Sequence, residues 1–214
     1  MLSVGALAGC GGSSGNGVAS KSPNAIVREA NNAIARASAV HVAGSIFDNG
    51  VPLTLDLSLV SGKGGIGQLS EAGFALRVIT VGKNVYVKGT PAFLAHFASP
   101  AAARTFAGQW LRAPASGAFA PIASLTNMQQ LFSRVLLSHG VLKKGGTTTV
   151  NGKRVIALRD STQGGTLYVA TTGPPYPVEV VKQGAAGGRI VFDRINQPVT
   201  LSPPAHSRDL SQVH

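Results

Sequence analysis

The clearest pattern along the chain is the alternation of Leu53, Leu55, Leu57 and Leu59 with Thr54, Asp56 and Ser58. A period of two puts each set on its own face of a strand, so a strand with one apolar face is predicted here. Shorter segments of the same kind surround it. Val40 to Phe47 precedes it, with Asp48-Asn49-Gly50 as the turn. Ile66 to Glu71, Phe74 to Val81 and Asn84 to Lys88 follow, separated by turn residues at Ser61 to Gly65, Gly73 and Gly82-Lys83. A second series comprises Thr147 to Val150, Lys153 to Arg159, Gly165 to Thr171, Tyr176 to Gln183 and Arg189 to Arg194. Asn151-Gly152 joins its first two members, and this dipeptide suits the tight turn whose twist matches a hairpin.

The period changes to that of a helix in two places. Ile26, Val27, Ala30, Ala33, Ile34 and Ala37 recur at helical spacing after Pro23, which fits a first turn. Ser124 to Ser138 carries the stripe Leu125, Met128, Leu131, Phe132, Val135 and Leu136, and Gly140 is placed to end it. Pro91 to Phe97 and Pro100 to Phe106 read as short helices opened by proline, and Gln109-Trp110-Leu111 as a brief extended piece. About ten strands result, with connections mostly too short for parallel crossovers, so the sheet is expected to be antiparallel and the class α+β. A sheet with one apolar face must cover it. The three helical segments between residues 91 and 138 cover it in part.

Composition supports a packed domain. The chain has 214 residues, 44% of them hydrophobic and only 13% charged, against roughly a quarter charged in an average chain. The net charge of +11 is concentrated. No acid occurs between Glu71 and Asp160, an interval holding eleven Lys and Arg: Arg77, Lys83, Lys88, Arg104, Arg112, Arg134, Lys143, Lys144, Lys153, Arg154 and Arg159. A basic field of this kind favours anionic surfaces. It serves the solubility of an exported domain equally well.

The N-terminus bears on the compartment. Leu7-Ala8-Gly9-Cys10, preceded by Leu2, Val4 and Ala6, reads as an apolar run ending in small residues, the tail of a secretory signal. Cys10 is the one cysteine, so no internal disulfide forms. Only nine residues precede it, none charged, which suggests that the true start lies upstream. Gly11 to Ser22 is rich in glycine and serine and is expected to be a flexible tether reaching on the order of 20 Å. The organisation expected is a signal remnant over 1–10, a tether over 11–22, one folded domain over 23–205 and a tail over 206–214.

Leu-Ala-Gly-Cys resembles the lipobox of bacterial lipoproteins, in which the thiol receives a diacylglyceryl group and becomes the new N-terminus. With it come the helix Asn24 to Ala37 leading into a strand, Val85-Tyr86-Val87-Lys88-Gly89, Gln109-Trp110-Leu111, and Pro175-Tyr176-Pro177-Val178 before a strand ending in Val191-Phe192. In this order the pieces resemble actinobacterial lipoproteins of the LppX/LprG type and, more distantly, the LolA-like lipoprotein and lipid carriers. The resemblance spans most of residues 20–205.

It implies a strongly curved antiparallel sheet, a half-open barrel with helices over its concave side. It also implies a lipid anchor at Cys10 on the outer face of the cytoplasmic membrane, and a lipid or glycolipid ligand carried within the envelope. The cavity lining would be Leu53, Leu55, Leu57, Leu59, Phe74, Leu76, Val78, Leu131, Phe132 and Val135. The residues alone favour a filled core from the same set; the resemblance favours a cavity. Lys143 and Lys144 are candidates for an anionic head group, and a solvated turn is the plainer reading of the pair. A monomer without cofactor is expected, with an envelope protein as a further partner. The rival function is a sensor or structural lipoprotein of the same fold that binds a protein and carries no lipid.

Other chemistry finds little support. Gly62-x-Gly64-x-x-Gly67 lies between two strands, so no helix N-terminus meets a phosphate there. His41, His96, His139, His206 and His214 lack metal-ligand spacing, and no Gly-x-Ser-x-Gly elbow exists. The acids, among them Asp48, Asp56, Asp160, Glu179 and Asp193, are scattered. Nucleic acid is not expected: aromatics make up only 6%, and single-strand binding needs stacking platforms among the basic residues. No enzymatic activity is expected.

Overall fold

The computed structural model describes residues 15–210 apart from 49, 98, 185 and 186. Cys10, the signal remnant, residues 11–14 of the tether and residues 211–214 lie outside the described residues.

The chain forms helix α1 (Pro23–Ala35), then strands β1 (Ala39–Asp48), β2 (Val51–Val60), β3 (Gly64–Glu71), β4 (Phe74–Val81) and β5 (Asn84–Gly89). Helices α2 (Pro91–Phe97) and α3 (Pro100–Phe106), strand β6 (Leu111–Pro114), and helices α4 (Ala120–Leu125) and α5 (Met128–Leu137) follow. Strands β7 (Leu142–Val150), β8 (Lys153–Asp160), β9 (Thr166–Ala170), β10 (Pro177–Lys182), β11 (Gly188–Asp193) and β12 (Arg208–Asp209) complete the chain. The twelve strands of the described residues lie in one open sheet of order β12-β6-β5-β4-β3-β2-β1-β11-β10-β9-β8-β7. Every pairing is antiparallel except β12 with β6. The expected α+β class and the helix-covered, unclosed sheet are borne out, with twelve strands where the pattern indicated about ten.

Laid flat, a sheet of this size would be about 55 Å across. Instead Leu111 of β6 and Leu158 of β8, near opposite edges, belong to one buried cluster with α1 and α5. The sheet is therefore bent around the helices. The register explains how. Leu57 stands between Val42 and Gly67, which in turn faces Val78, so these residues share the concave face. Glycines interrupt that face. At Gly44 of β1 (φ 149°) an added Cβ would lie 1.9 Å from the Arg189 carbonyl oxygen. At Gly65 of β3 it would lie 2.7 Å from Leu59 Cδ2 and 3.2 Å from the Thr126 carbonyl oxygen. Missing side chains on the inner face let the strands coil and the helices approach.

Three expectations are corrected. The helix read over Ser124 to Ser138 is two helices. Asn127 has extended backbone (φ −96°, ψ 113°), and its side chain caps α5 by accepting from the Gln130 amide. β7 begins at Leu142, upstream of the expected Thr147, because Leu142 to Lys144 pair with Asp160 to Leu158 of β8 although Lys143 to Gly146 show no apolar alternation; a register shift between Lys144 and Thr147 absorbs the glycine pair. The domain also extends past both expected ends. Arg208 and Asp209, read as tail, pair with β6. Gly15 to Ser22, read as tether, packs on the domain: Val18 is only 2% exposed, and the Asn16 amide donates to the Thr171 carbonyl at 2.8 Å. A single valine among small residues is invisible to a compositional reading.

Candidate functional site

Strand direction sorts the loops into two ends. At one end lie the turns β1–β2, β3–β4, β8–β9 and β10–β11, the start of α2 and the α5–β7 connection. We call this the rim. At the other lie the turns β2–β3, β4–β5 and β7–β8, the β9–β10 loop and Gly15.

An apolar groove of about 290 Å³ opens at the rim, between the first residues of β2 and β4 on one side and α2 and α4 on the other. Leu53, Leu69, Phe74, Leu76, Phe93, Phe97, Ile122 and Leu125 line it; Glu71 and Arg134 are its charged members. The strand residues reach it because Leu53, Leu69, Phe74 and Leu76 all lie on the concave face. The aromatic side is a stack. The Phe93 and Phe97 rings are 4.5 Å apart, and Phe74 packs on His96 at 4.7 Å. Pro91 opens α2 straight after β5, which turns these rings over the groove.

The residues expected to line a cavity divide into three sets. Leu53, Phe74 and Leu76 face the groove. Leu55, Leu57, Leu59, Val78, Leu131 and Phe132 are buried in the main core. Leu57 is 0% exposed, so protein atoms surround it. Val135 lies at a smaller cleft of about 160 Å³ with Val27, Leu142, Leu158, Leu167 and Val180. Phe93, Phe97, Ile122 and Leu125 were not expected in the lining. Their signal was the phenylalanine spacing after Pro91 and the apolar stripe of α4, but neither shows which way a short helix faces.

The two lysines also separate. Lys143 is exposed on β7. Lys144 donates from Nζ to the carbonyl oxygens of Ala19 and Lys21, both at 3.1 Å. Its hydrogen bonds hold the N-terminal segment against the domain.

On the convex face His41 sits buried between two acids, Nδ1 at 2.6 Å from Asp193 Oδ1 and Nε2 at 3.0 Å from Asp56 Oδ1. With a carboxylate at each nitrogen, neither is left to take a proton from a hydroxyl nucleophile. The cluster joins β2, β1 and β11. Among the described residues no group of His, Cys, Asp and Glu is arranged to hold a metal ion, and no helix is long and apolar enough to cross a membrane.

No protein-family model and no curated protein matches the chain. Solved structures do. The fold is similar to that of LprF from Mycobacterium bovis, with a TM-score of 0.60 and 14% identity, covering 86% of this chain and 97% of that one. It is also similar to the Mycobacterium tuberculosis lipoprotein LppX, with a TM-score of 0.55 and 16% identity, covering 84% and 98%. At such identities the likeness is one of fold. The resemblance to LppX/LprG-type lipoproteins read from the order of sequence pieces is borne out at that level.

Proposed function

We propose that this protein is a lipoprotein of the cell envelope, anchored through Cys10 to the outer face of the cytoplasmic membrane, that takes up one acyl chain of a lipid or glycolipid in the rim groove. The observation that carries the reading is the groove itself, an open apolar slot on the concave face of a fold shared with LppX, which is described as a lipoprotein.

Its size restricts the ligand. At roughly the 30 Å³ that a water occupies in bulk, 290 Å³ holds about ten methylene groups. Each removed from water contributes about 0.8 kcal/mol, so the slot shields up to ~8 kcal/mol of the ~12 kcal/mol exposed by a sixteen-carbon chain. The groove therefore suits the distal part of one chain. Lipids with several long chains would leave most of them outside.

Native mass spectrometry of the Cys10→Ser chain, expressed in an actinobacterial host, tests this. A co-purifying lipid is expected, and Leu76→Trp, which fills the slot, should remove it while the thermal melt stays cooperative. A folded wild-type chain that carries no lipid and binds no added long-chain fatty acid would sink the reading. The filled core around Leu57 and Phe132 favours a second reading, a lipoprotein of this fold that binds an envelope protein and carries no lipid. The same experiment separates the two.

A further inference from the structure

The described residues include four exposed large hydrophobic side chains: Phe47, Phe97, Leu137 and Val141. All four lie at the rim. Phe47 is at the β1–β2 turn and Phe97 ends α2, while Leu137 and Val141 flank the connection from α5 to β7. Leu137 and Val141 are 47% and 63% exposed, and neither lines the groove. Their surroundings are basic. Arg134 lies one turn before Leu137 on α5, Lys143 follows Val141 and pairs with Arg159 across β7–β8, and Lys182 ends β10. The acid among them, Asp160, is engaged by the backbone amides of Gly140, Thr162 and Gln163. Apolar side chains ringed by cations are what an anionic bilayer surface recognises.

The chain leaves the domain at the other end. Gly15 lies beside Thr171 in the β9–β10 loop, and only five Cα–Cα steps, with four residues between, lead from Cys10 to Gly15. Fully extended they span at most about 18 Å, while ten-residue strands such as β1 are about 30 Å long. A domain turned rim-down on its own anchoring leaflet would need a tether running back along its whole height. Five steps are too few.

We infer that the Leu137–Val141 sector of the rim docks on an anionic bilayer opposite the one that holds the Cys10 anchor. The inference rests on Cys10 as the attachment point and is independent of lipid loading in the groove.

The test couples the full chain through Cys10, its sole thiol, to a maleimide lipid in phosphatidylcholine vesicles. Acceptor vesicles with and without phosphatidylglycerol are then added, and bridging is read by energy transfer between labels on the two populations. Bridging is expected with anionic acceptors only, falling with added salt. L137S/V141S should weaken it about tenfold, given the apolar area removed, and Lys143→Glu should weaken it without changing apolar area. Both variants change exposed positions, so the melting temperature should hold and lipid loading by native mass spectrometry should match wild type. No bridging, bridging that ignores phosphatidylglycerol, or bridging that L137S/V141S leaves intact overturns the proposal. A dimer by sedimentation without bridging also overturns it, in favour of a second copy as the occupant.

Discussion

The hydroxyl oxygens of Thr126 and Thr80 lie 2.8 Å apart, fastening the α4–α5 junction to the concave face of β4. Both residues are buried. Thr126 Oγ1 is also within 3.0 Å of the Ala123 carbonyl and 3.2 Å of that of Ile122, so the hydroxyl stabilises the end of α4 as well. Thr126→Val keeps the shape and strands the Thr80 hydroxyl away from water. A buried, unmade hydrogen bond costs about 1–3 kcal/mol. We expect a loss of that order in urea unfolding. The double variant Thr80→Val/Thr126→Val should recover part of it, because no orphaned hydroxyl is left. Additive losses would mean the pair is not coupled.

A second expectation separates core from rim by comparing two phenylalanines. The ring of Phe132 on α5 lies 5.0 Å from that of Phe192 on β11, and both are fully buried. Phe132→Ala should cost about 3–5 kcal/mol through lost transfer energy and the void left behind. Phe97 is 64% exposed, and Phe97→Ala should change stability by less than about 1 kcal/mol. Equal losses would show that Phe97 is part of the folding core. The rim reading would then lose one of its four side chains.

These two phenylalanines also show what the sequence made legible. Alternation and helical spacing identify which residues face inward, and the four leucines of β2 do share one face. Depth is another matter. Leu53 faces the groove and Leu57 is packed because α4 and α5 cover the face unevenly. The break at Thr126-Asn127 that sets their angle is a local capping event. Strand β7 is half hidden for the opposite reason: after Leu142 it runs through two lysines and two glycines, and pairing with β8, not apolar periodicity, holds them at the sheet edge. The Leu137–Val141 sector leaves no periodic signal: Leu137 lies off the apolar stripe of α5 and Val141 stands alone in the connection to β7, so only the fold brings them together.

Lys144 provides a third expectation. Its ammonium group bridges the carbonyls of Ala19 and Lys21 from β7, while Asn16 holds the start of the segment through the carbonyls of Ala170 and Gly173. Lys144→Met keeps the aliphatic stem and removes the donors. Amides over residues 16–21 should exchange faster with deuterium, and those of β8 should not. Unchanged protection would mean that the burial of Val18 alone holds the segment.

The last expectation concerns acid. The carboxylate of Asp160 accepts from the amides of Gln163, Gly140 and Thr162, at 2.9, 2.8 and 2.8 Å. These bonds fasten the α5–β7 connection to the β8–β9 turn. They favour the charged form and hold the Asp160 carboxyl below its usual value of 3.8, the Gln163 amide contributing most, against a smaller opposing effect of burial. The sign follows from linkage. A group whose pKa is lower folded than unfolded adds stability that is fully present above the unfolded value and disappears as pH falls through the folded one. Wild type should therefore lose melting temperature on acidification below about pH 4, and part of that loss should be absent in Asp160→Asn. At neutral pH the variant should be less stable by about 1 kcal/mol, as for a lost helix cap, with the two curves converging in acid. Parallel melting curves from pH 2 to pH 7 would show that the Asp160 charge contributes nothing. The rim turn would then be held by its backbone alone.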